Sequence, residues 1–121
     1  MNLGEASMSL GRILNALVGL GLSETDSRVY IAIAVRGPMT AKTLVKEMRI
    51  NKQQLYPILK KLRNKKIINV TETRPSVISA LPFEEVLEIL INHKIEKSKE
   101  IIGNKKELLS CWKAVNWSNG K

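Results

Sequence analysis

Nine cations stand between Lys42 and Lys66 (Lys42, Lys46, Arg49, Lys52, Lys60, Lys61, Arg63, Lys65 and Lys66) against a single acid, Glu47. That window carries +8 of the +9 formal charge of a 121-residue chain whose isoelectric point is about 9.9. Side chains of one sign at this density suit a polyanion, because ammonium and guanidinium groups neutralise phosphates and release the counterions around them. A face that only keeps a protein in solution has no need of a single sign. In the same window Gln53, Gln54 and Tyr56 carry polar groups that can reach base edges, and glutamine pairs bidentately with adenine.

Other chemistry is poorly supplied. An enzyme needs converging titratable groups, yet His93 lies in a mixed-charge segment, Cys111 is remote from it in sequence, and no glycine-rich phosphate loop is present. No spaced set of His and Cys suggests a metal, and one cysteine cannot form an internal disulfide. The chain is therefore expected to be no enzyme and to need no cofactor or metal. The N-terminus lacks a basic leader with an apolar core, and no apolar run approaches the roughly 20 residues that span a bilayer. A soluble cytoplasmic protein with no membrane partner is expected.

The elements that must position the cations follow from apolar spacing. Leu10, Ile13, Leu14, Leu17 and Val18 form one helical stripe, ended by the glycines Gly19 and Gly21. Ser23, with Asp26 three residues later, reads as a capping box opening a second helix, "ETDSRVYIAIAVR", which closes at Gly37-Pro38. Its apolar run from Val29 to Val35 predicts a central, enclosed helix. Thr40 caps a short third helix with Leu44, Val45 and Met48 inward and Lys42, Thr43 and Lys46 outward. Asn51 caps a fourth, where Gln54 can complete a capping box and Leu55, Ile58, Leu59 and Leu62 form the buried stripe. Gln53, Pro57, Lys60 and Asn64 then face away, with Tyr56 and Lys61 on the flanks. Pro57 should leave the Gln53 carbonyl without its helical partner and kink the first turns. "IINVTET" and "VISAL", joined by a turn at "RPS", predict a hairpin, and Pro82 opens a long last helix that reaches Val115.

Helix, tight turn, basic helix and hairpin, in that order, are the layout of a winged helix-turn-helix, which inserts its second helix into the DNA major groove. The expected fold is mainly α with a small β-hairpin, with the recognition helix at 52–65. Phosphate contacts fall to Lys42, Thr43, Lys52, Lys60, Lys61, Arg63 and, in the wing, Arg74, and base contacts to Gln53, Gln54 and Tyr56. For Gln54 a capping role competes with readout, and for Tyr56 simple packing does.

The segment "LGLSETDSRVYIAIAVRGPMTAKTLVKEMRINKQQLYPILKKLRNKKIINV", with "RPSVISALPFEEVLEIL" after it, resembles the DNA-binding region of archaeal TrmB-like transcriptional regulators from about Leu20 to Leu90. Its marks are "LGLSE", "VY", "GPMTA", "YPILKKL" and, after the hairpin, "ALPFEEVLE". Tyr56-Pro57 is also similar to the "YP" of PadR-like regulators, which implies that such helices tolerate the proline. Two departures stand out. Family members often carry several basic residues in the wing and a tyrosine on its second strand, whereas Ser76, Val77 and Ile78 follow Arg74-Pro75 here. Longer members have a C-terminal sugar-binding domain, and one helix with a short tail follows here instead. No sugar effector is carried over, and the small-molecule effector stays open.

In the last helix Ile91, Ile95, Ser98, Ile102, Lys105 and Leu109 step by heptad spacing, and Leu87 extends the stripe, which predicts pairing with a second copy. Trp112 and Trp117 can cap such an interface. The competing arrangement folds this helix onto the first helix of its own chain. The expected organisation is an N-terminal helix (1–22), a winged helix-turn-helix (23–82), a dimerisation helix (83–111) and a tail (112–121). The expected function is a homodimeric transcriptional regulator that binds double-stranded DNA in a sequence-specific way. The rival is a winged-helix adaptor between proteins, which has little use for +8 on its recognition face.

Overall fold

Backbone hydrogen bonds and apolar periodicity resolve into nine elements in a computed structural model whose described residues are 3–119, with side chains from 7 to 116. They are α1 (Leu3–Gly19), α2 (Glu24–Arg36), β1 (Met39–Thr40), α3 (Ala41–Met48), α4 (Lys52–Asn64), β2 (Ile68–Val70), β3 (Val77–Ala80), α5 (Phe83–Gly103) and α6 (Lys105–Asn119). The chain forms two compact units, one up to Leu90 and one from Ile91 onward.

The first unit is a winged helix. Its caps are those that the side chains allow: the Ser23 hydroxyl accepts the Asp26 N–H at 3.0 Å, and the Thr40 hydroxyl accepts the Thr43 N–H at 3.3 Å. Asp26 does not close the expected box; its carboxylate, almost fully buried, lies 3.8 Å from the Lys61 ammonium. Gly21 and Gly37 turn the chain at φ of 109° and 91°, a region open to glycine at little cost. The hairpin is present, with Ile68 opposite Ala80 and Val70 opposite Ile78. A third strand joins it: β1 pairs antiparallel with β3, Met39 opposite Ile78 and Thr40 opposite Val77, giving the order β1-β3-β2.

One apolar core ties these layers together. Leu17, Leu22, Val29, Tyr30, Ile33, Leu44, Leu55, Leu62, Ile67, Ile78, Val86 and Leu90 are buried and draw on every helix from α1 to α5. The α2 run is less enclosed than its composition suggests, since Val35 stays 76% exposed at the outer end of the helix. The first-helix stripe is likewise covered only at Leu17 and partly at Ile13 and Leu14, leaving Leu10 and Val18 at the surface.

The last helix differs from one uninterrupted rod. It is divided at Asn104 just after Gly103, although the Asn104 N–H still reaches the Glu100 carbonyl at 3.0 Å. The helical backbone continues to Asn119, through most of the segment expected to be a tail.

Tyr30 places a phenol deep in this core, and its hydroxyl donates to the Leu81 carbonyl at 2.8 Å. Burial, with Glu84 nearby, pushes its phenol from 10.0 up to about 12. The folded state thus holds a proton that the unfolded chain gives up, so this contribution is complete below pH 10 and is lost as pH rises toward 12. Tyr30→Phe should cost about 1 kcal/mol at neutral pH and flatten the decline between those two values, as urea titrations of both proteins at several alkaline pH values would show.

Candidate nucleic-acid interface

The amphipathic pattern of α4 dictates what the first unit presents. Leu55, Ile58, Leu59 and Leu62 are buried, so the remaining side chains of the helix must point out, and none of them is acidic. The helix starts on a complete capping box: Asn51 Oδ1 accepts the Gln54 N–H at 2.8 Å, and Gln54 Oε1 accepts the Asn51 N–H at 3.0 Å. It then runs through Pro57 without a break. The Gln53 carbonyl, which loses its partner to the proline, lies on the exposed face where water can satisfy it.

Both helices of the helix-turn-helix end on a cation in the left-handed region. Arg49 (φ 55°) follows α3, and Lys66 (φ 64°) follows α4 and its C-cap Lys65. The Ile50 N–H returns to the Val45 carbonyl at 3.3 Å and the Ile67 N–H to the Leu62 carbonyl at 3.2 Å, so each helix closes in a Schellman-type turn. A side chain there costs roughly 1 kcal/mol relative to glycine, and in both places the residue that bears it is basic.

The charges are arranged so that little neutralises the patch. Glu47, its one acid, is tied to Arg36 of α2 at 2.9 Å. Lys42, Lys52, Lys60 and Arg63 gather around a cleft of about 580 Å³ between α3, α4 and the wing, together with Tyr56, Pro75 and Ser76. Lys61 is on the other flank, drawn toward Asp26. Arg74 is exposed in the wing loop and is not among the residues that line the cleft.

Each expected reader has a distinct setting. Gln53 is exposed on the outer face of α4. Gln54 has spent its side-chain oxygen on the Asn51 N–H. Tyr56 is 53% exposed and stands beside the cleft rather than packing inward. Thr43 is engaged with the Thr40 hydroxyl at 3.2 Å. Among the described residues no group of His, Cys, Asp and Glu could hold a metal ion, and no helix is long and apolar enough to cross a membrane.

The second unit exposes more apolar surface than the heptad stripe contained. Ile91, Ile95, Ile102 and Leu109 are all exposed, and so are Ile101, Leu108, Trp112 and Val115. At 100° per residue the second set forms its own stripe beside the first, with Ile101, Leu108 and Val115 seven residues apart. A strict heptad reading passes over such a neighbouring row. Leu87 is half-buried in the first unit, and the Trp117 side chain lies outside the described residues.

Against this geometry, residues 17–84 match the family model described as sugar-specific transcriptional regulator TrmB. The chain belongs to the TrmB family. The match spans more than half of its length and contains the whole helix-turn-helix and wing. No curated protein matches this TrmB-family chain. Among solved structures, a "possible transcriptional regulator" from Methanosarcina mazei Go1 is 14% identical with a TM-score of 0.60, over 77% of this chain and 85% of that one. The YusO protein of Bacillus subtilis is 11% identical with a TM-score of 0.53, over 98% and 91%. A MarR-like transcriptional regulator of Thermotoga maritima is 10% identical with a TM-score of 0.50, over 100% and 99%. At these identities the likeness is one of fold, the winged helix.

The capping geometry separates the two glutamines. Gln54→Ala should lower stability by about 1 kcal/mol and disturb the ranking of DNA sequences less than Gln53→Ala does, a pair of outcomes accessible to thermal unfolding and competition binding.

Proposed function

We propose that this TrmB-family protein is a sequence-specific double-stranded DNA-binding transcriptional regulator that acts as a homodimer. The observation that carries the reading is the outward face of α4, basic and free of acid, on a helix anchored by four buried apolar residues beside a wing. In this reading α4, the recognition helix, lies in the major groove. Lys42, Lys52, Lys60 and Arg63 hold phosphates, with Thr43 at the start of α3 and Arg74 from the wing. Lys61 shares its charge between Asp26 and the backbone of the DNA, so it positions the helix as well as binding. Gln53 reads base edges, with Tyr56 at the margin of the groove. Gln54 is a weaker reader, because its capping bond competes.

The domain assignment follows the same division: the winged helix-turn-helix binds DNA, and the helices after Ile91 join two copies. The exposed double stripe of Ile91, Ile95, Ile101, Ile102, Leu108 and Leu109 supports this, since apolar surface on that scale marks an interaction face. A two-fold dimer also matches the symmetry of paired half-sites.

On a site selected from a random duplex library, Gln53→Ala should lose mainly the discrimination between that site and its single-base variants, by about 1–3 kcal/mol at the affected position. Lys60→Ala should weaken all duplexes alike. Equal loss on every sequence for Gln53→Ala would falsify its role as a reader.

The dimer is tested separately. Ile102→Asp with Leu109→Asp places charge in the stripe without touching the first unit's core and should yield monomers in sedimentation equilibrium with an unchanged winged-helix spectrum. A dimer that persists at low micromolar concentration would assign the interface to another surface.

A further inference from the structure

The cleft beside the recognition helix contains more than phosphates require. Its cations are Lys42, Lys52, Lys60 and Arg63, and no acidic side chain lines it. Between them lie Leu59, Val70, Ile78, Ala41 and the ring of Pro75, with Tyr56 adding an aromatic edge. A phosphodiester gains from the charges and nothing from the apolar lining, because its oxygens stay hydrated or hydrogen-bonded. A ring system gains from that lining by displacing its water. At about 580 Å³ the cleft falls within the size range of small-molecule sites, and its mix of apolar lining with a few convergent polar groups is their usual composition.

We infer that the cleft between α4 and the wing binds a small amphipathic organic anion, an aromatic or alicyclic ring bearing a carboxylate, sulfonate or phosphate, and that this ligand excludes DNA. The ring would sit against Val70, Leu59 and Pro75 while its anionic group meets Lys60 and Arg63. Because those cations are the ones assigned to DNA phosphates, ligand and duplex compete for the same charge. By linkage each must weaken the other to the same extent. The regulatory consequence rests on the DNA-binding reading; the binding site itself does not.

The probe is anilinonaphthalene sulfonate, an apolar anion that fluoresces when it leaves water, titrated into the full chain at low ionic strength. Saturation is expected near one probe per chain. Lys60→Glu should weaken binding at least tenfold, and the near-isosteric Val70→Thr about threefold, whereas Ile102→Asp in the second unit should leave it unchanged. Inorganic phosphate at matched ionic strength should fail to displace the probe, and non-specific duplex should displace it. Binding that is indifferent to Lys60→Glu and lost with Ile102→Asp would overturn the inference, by assigning the probe to the exposed stripe of the last helices. Probe that stays bound while a separate titration shows duplex binding would overturn mutual exclusion. Failure of duplex to bind, with the Lys60→Glu effect intact, would remove the regulator reading and leave the anion site standing.

Discussion

Four side chains set the geometry of the basic surface. Leu55, Ile58, Leu59 and Leu62 are buried in the same core as Leu17, Tyr30, Leu44 and Ile78, and that burial fixes the rotation of α4 about its own axis. Once the rotation is fixed, the direction of every other side chain on the helix is fixed as well. Lys52, Tyr56, Lys60 and Arg63 then share a flank with Lys42 of α3 and with the wing, while Lys61 goes to the opposite flank and finds Asp26. The charge pattern is thus a consequence of packing, and a shift of one residue in the apolar stripe would scatter it.

The surface also shows where local stability has been conceded. Pro57 removes a helical hydrogen bond in the middle of α4, and Arg49 and Lys66 occupy backbone conformations that glycine would take with less strain. All three lie in or beside the basic face, whereas at Gly21 and Gly37 a positive φ is met with glycine. Unfavourable local choices concentrated at one surface are typical of a site whose chemistry outweighs its contribution to folding.

Much of this was legible in the sequence. The Asn51–Gln54 capping box, the Leu55–Leu62 stripe, the hairpin and the charge window all follow from residue type and spacing, because each depends on neighbours within one or two turns. What was illegible depends on distant partners. β1 has two residues and exists only because Ile78 and Val77 stand opposite it. Asp26, which suits a cap when read locally, is buried and meets Lys61 thirty-five residues away. Val35 continues an apolar run yet lies open because no element among the described residues covers it. The basic cleft was hidden for the same reason, since its lining comes from α3, α4 and both strands of the hairpin.

The most direct test of the basic face as a DNA surface is the salt dependence of binding to a duplex of random sequence. Each neutralised phosphate contributes about −0.9 to the slope of log K against log salt, so roughly four to eight contacts per dimer predict a slope between about −4 and −7. A slope in that range, made shallower by Lys60→Ala, is the result expected of a phosphate-holding α4. Absence of binding at low salt, or a slope near zero, would contradict it and leave the winged helix as a surface for another protein.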